Sequence, residues 1–302
     1  MPISLPVVST DGTSDAPGPF GRIGIVGLGL IGGSLALACR RRWPRGLVVG
    51  VDRNDVLEQA MVRHAIDVAA DDLGMLAEVD LVVLCAPVEA CIAMLPEVAS
   101  LVQPGAVITD VGSTKRSVLA AASAHFADGP VFVGGHPFAG AARSGIEYGS
   151  PELFTGRPWF VVPGVPREGA DDARARVEQW VSGLGGQPRV LDAEAHDRLM
   201  AALSHAPQLV ASTLMHVVGR AAGAEGLSLA GRGLRDTTRL SSSPGEVWAD
   251  VQTTNHDLLA PLLDEIIAHL TTLRDDASGD ALRRLFVSAQ GWRGALDASD
   301  RR

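Results

Sequence analysis

Arg22-Ile-Gly-Ile-Val-Gly-Leu-Gly-Leu-Ile-Gly-Gly-Ser34 is the stretch from which the fold follows. Its β-branched, apolar start predicts a short buried strand over residues 22–26, and the G-x-G-x-x-G at Gly27, Gly29 and Gly32 turns that strand into a helix. Gly27 permits the tight turn, Gly29 lets backbone approach a pyrophosphate, and Gly32 lets helix and sheet pack closely while the helix N-terminus faces the anion. Leu30 and Ile31, which open the helix, are taken with the glycines as cofactor-binding residues. A glycine-rich turn alone would be the plain alternative. Against it stands a second strand, Leu47-Val-Val-Gly-Val, that ends at Asp52, where a carboxylate would accept hydrogen bonds from adenosine ribose hydroxyls. Asp52 favours NAD because it would repel a 2′-phosphate, while Arg53 beside it is the feature that would admit NADP. NAD is the expected cofactor, with NADP second.

Working outward, short β-branched runs alternate with longer Ala-rich or amphipathic segments. Strands are expected at 22–26, 47–51, 81–85, 107–110, 131–134 and 159–162, with crossover helices at 35–42, 56–64, 89–102 and 116–125. That alternation predicts an α/β Rossmann domain, a doubly wound and mostly parallel sheet. After a helix over 169–184 and a short strand at 188–191, helical periodicity takes over, with core helices at 194–218 and 255–273. The expected plan is a disordered tail over 1–20, a dinucleotide-binding domain over 21–192, and an all-α substrate and dimerisation domain over 193–302, with a homodimer formed through the C-terminal helices.

Composition bounds the function. The chain has 302 residues, 46% hydrophobic and 20% charged, enough for a sizeable core. Net charge is −9 and the basic residues are scattered apart from Arg40–Arg42, so nucleic acid is not expected as a partner. Cys39, Cys85 and Cys91 sit among apolar neighbours without ligand spacing, as buried thiols do in a reducing compartment, and a cytoplasmic location is expected. The N-terminus has no basic start followed by an apolar run, and later apolar runs are broken by Gly, Pro or charge, so neither a signal peptide nor a membrane span is expected. The remaining histidines, His64, His125, His196, His216, His256 and His269, lack ligand spacing; they are read as surface or packing residues, and no metal is expected.

Two further strand ends carry polar clusters, Thr109-Asp-Val-Gly-Ser-Thr-Lys115 and Val133-Gly-Gly-His-Pro-Phe-Ala-Gly140. Ligands of open α/β sheets lie beyond the carboxyl ends of the strands, so Ser113, Lys115 and His136 should converge on one crevice with the nicotinamide. Pro137 holds His136 extended. Pro87 either meets the cofactor or only ends its strand.

With these blocks the chain resembles the prephenate and arogenate dehydrogenase family from about residue 21 to residue 275, through the glycine loop, Asp110-Val-Gly-Ser-Thr-Lys, Gly135-His-Pro-Phe-Ala-Gly, Leu203-Ser-His-Ala-Pro-Gln and Gly233-Leu-Arg-Asp-Thr-Thr-Arg-Leu. The resemblance implies that His136 engages a ring hydroxyl of the substrate and that Arg239 binds a carboxylate. The residue types suit that chemistry. Removing hydride from a ring alcohol needs an acceptor for the hydroxyl proton, and neutral histidine is the suitable base near pH 7. Loss of CO2 with aromatisation makes the step downhill, so the protein has mainly to position the substrate and take the proton. His136 and Ser113 are therefore the expected catalytic residues.

A dianionic substrate needs cationic and hydroxyl donors. Arg235 and Arg239 share a face if their stretch is helical, although Arg235 also has Asp236 as a structural partner. Ser204 and Gln208 share a helical face with His205 about a third of a turn away; His205 is either a ligand or a satisfied core group. Many family members carry a second histidine where this chain has Gln208, and some carry an acid where it has Ala142. Trp248 is either near the substrate or a helix-packing anchor, and no regulatory domain is expected after residue 275. A β-hydroxyacid dehydrogenase on the same plan would use a lysine of the helical domain, and residues 192–302 contain none. The expected reaction is NAD-dependent oxidative decarboxylation of prephenate to 4-hydroxyphenylpyruvate, with arogenate dehydrogenase as the alternative.

Overall fold

A computed structural model describes residues 17–140 and 143–299, which leaves Ala142 and residues 1–16 of the expected tail outside them. The alternation of apolar strands and amphipathic helices folds as β1 (Arg22–Val26), α1 (Leu30–Arg42), β2 (Leu47–Val51), α2 (Asn54–Val62), β3 (Val68–Ala70), β4 (Leu81–Leu84), α3 (Val88–Leu101), β5 (Val107–Asp110), α4 (Arg116–His125), β6 (Val131–Pro137), β7 (Pro158–Pro163), α5 (Ala170–Gly183) and β8 (Gln187–Val190). These strands form one 8-stranded sheet in the order β3-β2-β1-β4-β5-β6-β7-β8. All neighbours run parallel except β6 and β7. The strand order reverses between β1 and β4, which opens a crevice at their carboxyl ends, the doubly wound arrangement expected from the sequence.

Both faces of the sheet are covered, which is why its central strands are apolar without alternation. On one face Leu35, Ala36 and Cys39 of α1 and Val177, Trp180 and Val181 of α5 pack over Ile23, Ile25, Leu81 and Val83. On the other, Leu95 and Val98 of α3 and Val118 and Ala122 of α4 cover Val82, Leu84 and Ile108. Each such large aliphatic side chain removed from water contributes about 1.5–3 kcal/mol. Packing begins before residue 21: Phe20 is buried, with the Arg176 guanidinium 4.4 Å from its ring centroid.

Beyond the sheet come α6 (Ala193–Met200), a π turn over Ala201–His205, α7 (Ala206–Ser228), α8 (Arg232–Thr237), a 3-10 turn over Arg239–Ser242 and α9 (Gly245–Thr254). Met1–Asn255 is one compact unit, and His256–Arg302, with α10 (His256–Asp275) and α11 (Asp280–Ser299), is a second. Within the first unit α9 docks by its C-terminal end: Thr254 and Thr114 hydroxyls lie 2.8 Å apart, and Asn255 donates to the Asp197 carbonyl at 2.9 Å.

The structure departs from the expected elements in places that bear on the site. β3 has no strong β-branched run, so it was not foreseen; it forms because β2 offers an open edge at Val49–Val51. β6 continues past residue 134 to Pro137, because Gly135, His136 and Pro137 pair with Val161, Phe160 and Trp159 of the antiparallel β7. The single helix expected over 194–218 is interrupted by the π turn, and the later helix runs on to Ser228 with a break at Gly223, whose φ is 64°.

Candidate active site

The glycine loop sits at the reversal point between β1 and β4. Gly27 has φ +90°, a conformation costly for any residue with a side chain, and a Cβ at Gly32 would lie 1.8 Å from the Gly27 carbonyl oxygen. A Cβ at Gly29 would meet nothing within 4 Å, so that backbone is open to an incoming group. Helix α1 starts at Gly29 without a side-chain cap and without an acidic residue in its first turn, leaving its first amides for an anion. Leu30 and Ile31 are half-buried in that turn, and Ile31 packs on the core.

Asp52 binds the loop it was expected to serve: its carboxylate accepts from the Leu28 amide at 2.6 Å and from the Arg53 amide at 2.7 Å. A carboxylate has further lone pairs, so ribose hydroxyls remain within its capacity. A cleft of about 510 Å³ opens here, lined by Gly27, Asp52, Arg53, Asp71, Ala86 and Ala90 among others. Gly27, Asp52 and Arg53 of the expected cofactor residues line it; Pro87 instead stands exposed as the N-cap of α3. The Arg53 guanidinium lies 3.6 Å from the Asp55 carboxylate. An uncapped helix start, an open Gly29 and a cleft bearing two carboxylates fit a dinucleotide with free ribose hydroxyls.

Next to this cleft the ends of β5 and β6 carry a buried ionic core. Lys115, the chain's single lysine, is fully buried and pairs through Nζ with Asp110. The same carboxylate accepts from the Gly112 amide at 2.9 Å and the Gly135 amide at 3.0 Å, tying the Ser113 loop to the strand that presents His136. Ser113 itself is half-buried on that loop. The His136 ring is 8% exposed and stands against Phe138 and Phe160, with centroids at 6.1 and 6.0 Å.

His136 does not stand alone. Its Nδ1 is 2.9 Å from Nε2 of His196, whose Nδ1 is 2.8 Å from the Asp197 carboxylate. Asp197 also accepts from the Lys115 and Arg116 amides at 2.7 and 2.9 Å. Burial would raise the Asp197 carboxyl, but the hydrogen bonds from His196 and these amides outweigh it and hold its pKa below the ordinary value. Burial, reinforced by the unfavourable company of His196, the Lys115 ammonium and His205, pushes His136 well below the ordinary histidine value. His196 is lowered too, again by burial, against the opposing pull of Asp197. The row therefore consists of a carboxylate and two neutral imidazoles, and the contact between His196 and Asp197 is a hydrogen bond rather than an ion pair.

His196 and Asp197 were missed from the sequence, where His196 was read as a surface or packing residue. It is wholly buried and bonded to the expected base. The only signal was a His-Asp pair one turn after Asp192, whose carboxylate caps α6 through the Ala195 amide at 2.7 Å.

The π turn carries the other expected histidine. His205 and Gln208 are buried while Ser204 is half-buried, so His205 rather than Ser204 shares the inward side with Gln208. Asn255 Nδ2 lies 3.2 Å from His205 Nδ1, and Asn255 Oδ1 accepts from Arg116 at 3.0 Å, which fixes the amide's orientation. Nδ1 of His205 is thus the acceptor and Nε2 carries the proton on the buried side of the ring, with the Ser113 backbone beside it. Burial lowers His205 to about 4 despite the Asp197 charge, so this is a neutral donor. Trp248 stands edge-on to it at 6.1 Å.

Gln208 donates to the Leu240 carbonyl at 2.8 Å and to Ser212 at 3.2 Å, which anchors the turn bearing Arg239. Arg239 is exposed on that turn, outside α8, so the shared helical face expected for Arg235 and Arg239 is absent: α8 ends at Thr237. Arg235 is exposed as well, and its guanidinium donates to the Ala230 carbonyl at 3.3 Å rather than pairing with Asp236.

Family models match most of the chain: "Prephenate dehydrogenase, nucleotide-binding domain" over residues 35–186 and "Prephenate dehydrogenase, dimerization domain" over residues 192–287. The chain belongs to the prephenate dehydrogenase family. Prephenate dehydrogenase of Bacillus subtilis (strain 168) is 32% identical over 280 residues, covering 90% of this chain and 75% of that protein. Prephenate dehydrogenase from A. aeolicus in complex with hydroxyphenyl propionate and NAD+ superposes with a TM-score of 0.80 at 25% identity, covering 91% of this chain and 98% of that one. Synechocystis arogenate dehydrogenase follows with a TM-score of 0.72 at 30% identity, over 91% and 99% of the two chains. As a prephenate dehydrogenase-family protein, the chain is an oxidoreductase on a Rossmann-type sheet followed by a helical part.

Proposed function

We propose that this chain oxidises prephenate with NAD and decarboxylates it to 4-hydroxyphenylpyruvate, in tyrosine biosynthesis. The observation that carries the proposal is His136, neutral and nearly buried at the crevice edge of the sheet beside an uncapped dinucleotide turn. NAD supplies the hydride acceptor, and Gly27, Gly29, Leu30, Ile31, Gly32 and Asp52 would hold it. Asp52 and Asp71 on one cleft support NAD over NADP, since two carboxylates repel a 2′-phosphate.

His136 accepts the ring hydroxyl proton as hydride leaves the same carbon. The electron pair of the ring carboxylate bond enters the ring as CO2 departs, and the proton returns to the phenolate oxygen. Ser113 on the adjoining loop and the His205 Nε2–H supply neutral donors to the substrate, and Arg239, with Ser204 beside the crevice, receives a carboxylate. The functional division of the chain falls near residue 192, so the cofactor residues come from the first part and the carboxylate ligands from the second.

The enzyme works as a cytoplasmic homodimer. Support comes from the dimerization-domain match and from exposed apolar side chains on the C-terminal helices, Ile267 and Leu270 on α10 and Phe286, Val287 and Trp292 on α11. Among the described residues no helix is long and apolar enough to cross a membrane. Light scattering at micromolar concentration should give twice the chain mass; a monomer would refute the assembly.

Turnover is read as growth of reduced-nicotinamide absorbance with NAD and either prephenate or arogenate. Prephenate should be the better substrate. Higher kcat/KM with arogenate transfers the assignment to that amine, and no turnover with either refutes the reaction. His136→Asn should lower kcat by about 10²–10⁴-fold with NAD affinity retained, whereas Arg239→Gln should act mainly on KM, raising it by about tenfold or more.

A further inference from the structure

We propose that His196 and Asp197 are positioning residues that hold the His136 imidazole in its Nδ1–H form, leaving Nε2 as the nitrogen that takes the substrate's proton. The proposal rests on His136 being the base. It follows from hydrogen-bond accounting along a buried row. The Asp197 carboxylate already accepts the Lys115 and Arg116 amides and the Arg116 guanidinium, so towards its neighbours it acts only as an acceptor. Nδ1 of His196, 2.8 Å away, must therefore donate. A neutral imidazole carries one ring proton, which leaves Nε2 of His196 as an acceptor. Nδ1 of His136, 2.9 Å from it, must donate in turn. The His136 proton is thereby spent on Nδ1, and Nε2 keeps its lone pair.

The surroundings enforce this state. His196 and Asp197 have no exposed surface, so water cannot substitute for either partner. The groups facing His136 are His196 on α6, Lys115 before α4, His205 on the π turn, and the Phe160 and Phe138 rings. None of them offers Nδ1 a competing carboxylate, because Asp110 is committed to Lys115, Gly112 and Gly135. Imidazole in water prefers the opposite, Nε2–H form, which would put the proton on the reacting nitrogen. As His136 gains the substrate proton, its Nδ1–H continues to donate to His196, so the imidazolium keeps its partner without rearrangement.

The wiring is tested on the intact enzyme with ¹⁵N-labelled histidine, the His136 signals being assigned by their loss in His136→Asn. A proton-bearing Nδ1 and a bare Nε2 are expected for His136, and a proton-bearing Nδ1 for His196. The opposite form at His136 overturns the proposal, and this readout needs no folded variant at position 196. In kinetics, His196→Leu should lower kcat by about 10²-fold or more while the KM values for prephenate and NAD stay within about threefold. His196→Gln, whose amide oxygen can again accept from Nδ1, should recover most of that loss. A His196→Leu enzyme with the parental kcat overturns the positioning role alone. Parental turnover in His136→Asn overturns the assignment of the base itself.

Discussion

Lys115 is the single lysine of a chain whose other strongly basic side chains are all arginine, and its environment gives a reason for the exception: a compact ammonium fits a fully buried slot against Asp110, where a guanidinium with its planar fork would not. Removing one member of such a pair strands the other charge in a medium that cannot solvate it. Lys115→Met should therefore cost about 3–5 kcal/mol in denaturant unfolding; a loss below 1 kcal/mol would mean that the Gly112 and Gly135 amides alone satisfy Asp110. The glycine loop offers a contrast at the same scale. Gly32→Ala drives a Cβ into the Gly27 carbonyl and should destabilise the fold and abolish NAD binding together. Gly29→Ala has free space, so its melting temperature should match the parent while NAD affinity, read by fluorescence titration, falls at least tenfold because the methyl occupies the approach to the backbone. Equal affinity in that variant would remove Gly29 from the cofactor site. His136 was legible in the sequence because it stands at a strand end, where open α/β sheets bind ligands, within a block shared with the family the chain resembles. His196 was not, because its partner is 60 residues away and only folding brings the rings together.

At the scale of elements, the extension of β6 and the π turn after α6 do most to build the site. Gly134 was the expected end of β6, and pairing with β7 carries the strand on through His136, which places that ring opposite Phe160 instead of on a loose loop. The π turn shifts the helix face, so His205 and Gln208 point inward where straight helical spacing had paired Ser204 with Gln208. Periodicity cannot foresee such a turn, since the extra residue leaves no mark in the apolar pattern. Gln208 then spends its amide on the Leu240 carbonyl, holding the Arg239 turn at a distance of 32 residues along the chain. Its role is therefore to anchor the arginine, whatever it touches of the substrate. Gln208→Ala should raise KM for prephenate by about three- to tenfold with kcat nearly unchanged, a hydrogen bond of about 1 kcal/mol having been lost from the turn. A fall in kcat at constant KM would instead assign Gln208 to the chemical step.

Across the whole molecule, burying neutral histidines couples stability to pH. His136, His196 and His205 all have folded pKa values below the ordinary 6.5, His205 at about 4. The unfolded chain therefore binds protons that the folded chain refuses. Stability from these groups is complete above pH 6.5 and is lost as pH falls from there towards the folded values, at up to about 1.4 kcal/mol per pH unit for each histidine. The denaturant midpoint should fall steadily between pH 7 and pH 4; a midpoint constant over that range would show that the histidines are not buried neutral. The acid limb of kcat/KM should likewise lie below pH 6.5, because His136 remains a base there.

Local pattern carried much of this protein. A β-branched run, glycines at fixed spacing and an acid at the end of the next strand are short-range features, so the sheet, the dinucleotide turn at Gly27–Gly32 and the partner Asp52 could be read directly from the order of residues. Tertiary structure alone decided which side chains meet. The meeting of His136 with His196, the Gly135 amide on Asp110 that ties two strand ends, and the Asn255 contact that orients His205 join residues distant in sequence. Their protonation states follow from burial and from the number of donors each group receives, quantities that exist only once the chain has packed.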